Sequence, residues 1–225
     1  MPETIPFDQI EAILFDLDGT LIDTDDAAVA RLERKLRPLL GRRAPHLARW
    51  LMMKAETPGN ALVTLLDFLH LDEALMGATD KLRRRRGVYA AHEFSLIPGV
   101  GELLQSLAGR YKVALVTTRS RYHIDAFLQQ FPRETAVFST TCGLQDTHRL
   151  KPHPAPVRLA AKRLGIPVEK CVMVGDTTVD VKSGRRAGAW SVGVLCGFGE
   201  PEELARVGAH LVLESTADLL GYLQS

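Results

Sequence analysis

The stretch Ala12-Ile13-Leu14-Phe15-Asp16-Leu17-Asp18-Gly19-Thr20-Leu21 runs from a short greasy strand straight into two carboxylates spaced i, i+2 and then a glycine. An anion at the tip of a buried strand is costly without partners. Two of them predict a cation, and the cation predicts chemistry. A single aspartate in such a place is ordinarily a helix cap or a turn former. What sets this pair apart is that three further strand ends carry matching parts.

Outward from that stretch, short β-rich runs alternate with helical ones, the pattern of a doubly wound α/β core whose parallel sheet is covered on both faces. The strands read as 12–15, 113–116, 136–138, 171–174, 191–195 and 211–213. The helices read as 99–107, 120–130, 155–164, 178–187 and 201–207, with Gly165 and Gly188 placed as C-caps. One interval breaks the rhythm. Between Leu21 and Pro98 the pattern is helical only, with a stripe at Val29, Leu32, Leu36 and Leu39 and another at Leu62, Leu65, Leu66 and Leu69 after Asn60. The interval is too long for one crossover. The expected division is a core of residues 1–21 and 98–225 and an inserted α-helical cap domain of residues 22–97.

Composition bounds the partners. The 225 residues are 46% hydrophobic and 24% charged with a net charge of +1. That is ordinary for a soluble protein and gives no global pull toward nucleic acid or an anionic membrane. Cys142, Cys171 and Cys196 are scattered and odd in number, which reads as reduced intracellular thiols. The first residues lack the pattern of a secretory signal, and no apolar run approaches the roughly 20 residues of a membrane helix. The expectation is a cytoplasmic protein with neither nucleic-acid nor membrane partner. Its oligomeric state is not legible.

In parallel α/β sheets ligands bind beyond the carboxyl ends of the strands, and the polar groups of interest fall there. Asp16 and Asp18 follow the first strand, Thr117 and Thr118 end the second, and Lys151 lies before the helix at 155–164. Gly175-Asp176-Thr177-Thr178-Val179-Asp180 ends the strand at 171–174. Asp16, Asp18 and Asp176 offer hard oxygens of the kind Mg²⁺ prefers. A carboxylate attacking a phosphate dianion must overcome like-charge repulsion, which Mg²⁺ and Lys151 would relieve. The Thr117 hydroxyl and nearby N–H groups would hold phosphoryl oxygens. No serine–histidine or cysteine–histidine pair is indicated by motif, so the available nucleophile is a carboxylate. The second carboxylate, Asp18, would protonate the leaving oxygen and later activate water. Thr118 is either a further phosphate-binding group or a cap for the helix beginning near Ser120.

This set resembles the haloacid dehalogenase superfamily over nearly the whole chain. The superfamily's DxDGT motif is met by Asp16-Leu17-Asp18-Gly19-Thr20, its strand ending in Thr or Ser by Leu115-Val116-Thr117, its lysine by Lys151-Pro152, and its GDxxxD by Gly175-Asp176 with Asp180. The resemblance implies a Rossmann-like core and a C1-type helical cap. It makes Asp16 the nucleophile and a metal ligand, and Asp18 the acid/base, bound to Mg²⁺ through its carbonyl. Asp176 becomes a metal ligand, Asp180 one that acts mostly through water, and Thr117 and Lys151 the phosphoryl holders. Dehalogenase and phosphonatase members lack the second carboxylate, so Asp18 favours phosphate-ester hydrolysis or phosphomutase chemistry. Residues 197–204 and 208–210 resemble the phosphoglycolate-phosphatase-like branch. The implied substrate is a small phosphorylated metabolite.

Other features read more plainly. Arg83-Arg84-Arg85-Arg86 is a solvated charged face, or else a site for an anion. Between residues 22 and 95 Lys and Arg outnumber Asp and Glu only 13 to 10, so the cap is mildly basic. Gly99-Val100-Gly101 and Gly197-Phe198-Gly199 lack the third glycine of a dinucleotide fingerprint and read as turns. A β-phosphoglucomutase-like phosphomutase and a non-catalytic ligand-binding module of the same fold remain the competing readings.

Overall fold

In the computed structural model, which describes residues 4–23 and 94–223, the apolar runs form six strands. They are Ala12–Phe15 (β1), Lys112–Val116 (β2), Phe138–Cys142 (β3), Cys171–Gly175 (β4), Trp190–Val194 (β5) and Leu211–Leu213 (β6). All pair in parallel, in the order β3-β2-β1-β4-β5-β6. The described helices are Val100–Leu107 (α1), Arg121–Gln130 (α2), Ala155–Leu164 (α3), Thr178–Ala187 (α4), Pro201–Arg206 (α5) and Leu219–Leu223 (α6). Strand order runs outward in both directions from the β1–β4 pair, so a crevice opens at the carboxyl ends of those two strands.

Alternation along each strand sorts the core into two layers. Ile13, Phe15, Val113, Leu115, Val172 and Val174 meet Leu103 and Leu104 of α1, Ile124 and Phe127 of α2, and Leu219 of α6. Ala12, Leu14, Ala114, Val116 and Met173 meet Val157, Ala160 and Ala161 of α3 and Ala187 of α4. Large residues fill the first layer. Small ones in the second let α3 and α4 close down on the sheet. β1 is buried along its whole length, as a central parallel strand must be.

The bounds of β1, β6, α3 and α4 are those read from the sequence, and Gly165 and Gly188 cap their helices at φ +72° and +96°. The third strand is displaced. Apolar character points to residues 136–138, yet Thr135–Val137 forms a 3-10 turn and the strand runs through Phe138-Ser139-Thr140-Thr141-Cys142. It is an edge strand of the sheet and only its last residue is buried, so hydroxyl side chains are tolerated along it. No helix among the described residues is long and apolar enough to cross a membrane.

Of the interval expected to form the cap, only its two ends are described. Ile22 and Leu96 form an antiparallel bridge. Asp23 N–H donates to the Ser95 carbonyl at 2.8 Å, and Ile97 N–H to the Leu21 carbonyl at 3.0 Å. Gln130 of α2 clasps the Phe94 backbone, accepting from its N–H at 3.0 Å and donating to its carbonyl at 2.7 Å. The chain therefore leaves the core and re-enters it at one place. The helix stripes, the Asn60 cap and the arginine run expected inside the interval lie outside the described residues.

The close second layer is testable. Ala160→Leu changes helix propensity little but overpacks a buried position, and is expected to lower the unfolding free energy by about 1–3 kcal/mol. Urea titration should show a lower midpoint at constant slope. An unchanged or higher midpoint would show that α3 does not sit tightly on the sheet.

Candidate active site

At the tip of β1 the backbone of Asp16 stays in the sheet, its N–H donating to the Val174 carbonyl at 2.9 Å. The chain then turns sharply. Leu21 N–H and Ile22 N–H both donate to the Leu17 carbonyl, at 2.9 and 3.1 Å, and Gly19 N–H to the Ile22 carbonyl at 2.9 Å. Leu17, Leu21 and Ile22 are buried in the first core layer. Their anchoring fixes the turn from below and leaves Asp16 and Asp18 on the crevice side.

Asp176 and Asp180 come from the tip of β4 and the first turn of α4. Asp176 is fully buried; its Oδ2 accepts from the Phe198 N–H at 2.8 Å, and Thr20 Oγ1 lies 3.5 Å from its Oδ1. Its surroundings are built of glycine. A Cβ on Gly19, which sits at φ +67°, would come within 2.4 Å of Asp176 Oδ2, and one on Gly197 within 2.0 Å. Asp180 is the third residue of α4. Its Oδ2 accepts from the Thr177 N–H at 3.2 Å and the Thr177 hydroxyl at 2.5 Å, the back-reaching half of a capping box. Its Oδ1 is left for Lys151.

Lys151 ties the parts together. Its Nζ donates to Asp16 Oδ1 at 2.6 Å, Asp180 Oδ1 at 2.5 Å and the Val116 carbonyl at 3.0 Å, and the residue is only 3% exposed. All three hydrogens of the ammonium are used. Thr117, one residue past that carbonyl, is buried, and its Oγ1 accepts the Arg119 N–H at 3.1 Å. The hydroxyl hydrogen stays available to donate. Thr118 is half-buried, and the alternative of a helix cap is not taken: Ser120 is the N-cap of α2.

Asp18 stands apart from the carboxylate cluster. Arg119 grips both its oxygens, Nε on Oδ2 at 2.9 Å and Nη2 on Oδ1 at 2.6 Å. Sequence reading missed this arginine. It lies two residues past Thr117, and that spacing was the available signal, but arginine is too common near strand ends to stand out alone. The same reading took Gly197-Phe198-Gly199 for a plain turn, whereas the loop closes over Asp176.

One carboxylate oxygen each from Asp16, Asp176 and Asp180 lie within 4.8 Å of one another, all three residues buried. Three carboxylates against one ammonium leave two negative charges when all are ionised, and a divalent cation would balance them. Oxygen-only donors suit Mg²⁺ or a similar hard ion, so the donor set fits the expected cofactor. Burial above all pushes the Asp16 carboxyl up to about 8; Lys151 pulls it down, while Asp180 and Asp18 push it further up. Burial opposes the charge on Lys151, but Asp16 and Asp180 together hold its ammonium above the ordinary lysine range. The ammonium is thus the firm charge, and Asp16 is the carboxylate whose charge a further cation nearby would favour most.

A methyl group placed on Gly197 must push the Asp176 carboxylate aside. Should Asp176 be a ligand of such an ion, Gly197→Ala is expected to weaken Mg²⁺ binding by about 10-fold or more, read by calorimetric titration of the folded variant. Unchanged affinity would remove Asp176 from the ion's site.

Residues 13–194 match the family model described as haloacid dehalogenase-like hydrolase. A phosphoglycolate phosphatase of Xanthomonas campestris pv. campestris (strain 8004) is 30% identical over 211 residues, covering 93% of this chain and 90% of that protein. The pyrophosphatase PpaX of Oceanobacillus iheyensis is 28% identical over 214 residues, covering 94% and 95%. Among solved structures, a HAD family hydrolase from Deinococcus radiodurans R1 with bound phosphate and sodium superposes with a TM-score of 0.68 at 25% identity, covering 96% of this chain and 95% of that one. With the family model spanning most of the sequence, the chain belongs to the haloacid dehalogenase-like hydrolases and is one of their phosphatases.

Proposed function

We propose that the enzyme hydrolyses a small phosphomonoester, with Mg²⁺ as cofactor and with the phosphoryl group carried in transit on Asp16. The observation that carries this reading is Lys151, buried between Asp16 and Asp180 and bonded to the carbonyl of Val116, the residue before Thr117. A lysine so placed has a use at a phosphoryl centre, where positive charge must offset a dianion meeting a carboxylate.

Asp16 and Asp176, with the carbonyl of Asp18, would hold the ion. Asp180, whose oxygens already serve Lys151 and Thr177, would act on it through water. When bound, Mg²⁺ supplies the positive charge that keeps Asp16 ionised and lowers the repulsion between it and the substrate. Asp16 Oδ1 rests on Lys151, which leaves Oδ2 to attack phosphorus. As that bond forms, the bond from phosphorus to the leaving oxygen breaks, and Asp18 gives the departing oxygen its proton. A water then yields a proton to Asp18 as its oxygen attacks the aspartyl-phosphate, releasing phosphate and restoring Asp16. The Thr117 hydroxyl would steady a phosphoryl oxygen, Thr118 would offer its backbone N–H, and Lys151 would supply positive charge beside them, exchanging one of its present bonds to donate to the phosphoryl group.

The interval between the paired ends at Ile22 and Leu96 would serve as the cap, closing over the crevice and excluding water. What supports this is the place of attachment, beside Asp18 at the strand tips. Phosphoglycolate, or a phosphate compound like it, is the first substrate choice. The two named relatives point to leaving groups that carry charge, a carboxylate in one and a second phosphate in the other. Cys142 and Cys171 are free and buried, and burial pushes their thiols up to about 11 and about 12. Free thiols suit a reducing cytoplasm, where we place the enzyme.

Asp16→Asn is expected to cut phosphate release from phosphoglycolate by about 1,000-fold or more without loss of the circular-dichroism signature of the fold. A variant as active as wild type would end the assignment of Asp16 as nucleophile. Chelation by EDTA should abolish turnover of the unmodified enzyme and added Mg²⁺ should restore it; full activity in EDTA would exclude the cofactor.

A further inference from the structure

We propose that Arg119 reads a negative charge on the leaving group, and that in taking hold of it Arg119 releases Asp18 for proton transfer. The inference rests on the phosphatase reading above and names the substrate class for the same site.

In the arrangement observed both oxygens of Asp18 accept from the guanidinium fork, at 2.9 and 2.6 Å, and a proton placed on either oxygen competes with the hydrogen bond that oxygen accepts. Proton delivery is therefore easiest once Arg119 lets go. The rest of the residue stays put: its N–H is fixed on Thr117 Oγ1 at 3.1 Å, and its carbonyl accepts the Leu144 N–H at 2.9 Å. Only the side chain has anywhere to move.

Where it can move follows from its neighbours. Thr117 lies on the phosphoryl side and Asp18 on the side of the leaving oxygen, so the guanidinium borders the atoms attached to that oxygen. The pair is also reachable, with side chains 31% and 19% exposed, unlike Lys151 and Asp180 at 4% and 1%. Ion pairs with such access to solvent hold weakly, and exchange of one carboxylate for another on the fork costs little. A carboxylate or phosphate carried by the leaving group matches the planar fork as well as Asp18 does. A neutral leaving group offers nothing to draw the arginine away, and the acid stays latched. Recognition of charge and readiness for chemistry are then one event.

The test uses the full-length enzyme with Mg²⁺ and a matched pair of substrates, phosphoglycolate and its neutral amide, phosphoglycolamide, with phosphate release followed over a range of concentrations. Wild type should favour the acid by about 10- to 100-fold in kcat/KM, the worth of one charge-assisted pair. In Arg119→Gln that preference should fall below about threefold, by loss on the acid, while kcat on the amide rises because Asp18 is unlatched. Arg119→Lys, which keeps the charge but not the fork, should show a preference between the two. Equal losses on both substrates in Arg119→Gln, or no preference in wild type, would overturn the inference and leave the phosphatase reading intact. If Arg119→Gln does not fold, an undiminished preference in Arg119→Lys overturns it instead. No phosphate from either compound with wild type would defeat phosphoglycolate as the substrate choice, and this inference with it.

Discussion

Lys151 brings one ammonium into a place water barely reaches, where Asp16, Asp180 and the Val116 carbonyl close on it from three different elements. A buried charge is tolerable only while its partners stay in place, and breaking such a pair by removing one member typically costs about 3–5 kcal/mol. The tip of β1, the last carbonyl of β2 and the first turn of α4 are thereby pinned to a common point. The parallel sheet brings these ends close; the lysine fixes how close. Because the carboxylates outnumber the ammonium, the same cluster is left short of positive charge, and that shortage is the chemical demand a divalent ion would meet.

The site contains two cationic side chains of opposite character. Lys151 is enclosed and rigid, as the proposed placing of positive charge beside a phosphoryl group requires. Arg119 with Asp18 is half-open and rests on a long side chain, on the side where the proposed mechanism puts the departing group. The turn that carries Asp18 runs on through Ile22 to the bridge with Leu96, so the inserted interval is attached to the adjustable side of the site. Asp176 belongs to the rigid side. Gly19 and Gly197 bring backbone nearer to its carboxylate than any larger residue allows.

Much of this was legible in the sequence because apolar strands that stop at carboxylates leave few interpretations. The strand bounds of β1 and the helix bounds of α3 and α4 follow from simple periodicity and capping glycines. Asp16, Asp176, Asp180 and Lys151, read from three separate stretches, meet as hydrogen-bonded or neighbouring groups. The misses have physical causes. β3 is an edge strand with hydroxyl side chains, and hydrophobic periodicity does not see such strands. The bond between Arg119 and Asp18 joins residues 101 positions apart, a pairing that residue type alone does not single out. The closure of residues 197–198 on Asp176 depends on close backbone approach, which a glycine permits but does not announce.

The most direct measurement is a crystal structure of the enzyme with Mg²⁺ and beryllofluoride, a mimic of a transferred phosphoryl group. The beryllium should be bonded to an Asp16 oxygen, its fluorides within hydrogen-bond reach of Lys151 and Thr117. The Mg²⁺ should lie about 2.1 Å from oxygens of Asp16 and Asp176. A mimic attached to another residue, or an ion bound away from those two carboxylates, would contradict a phosphoryl site organised around the buried lysine.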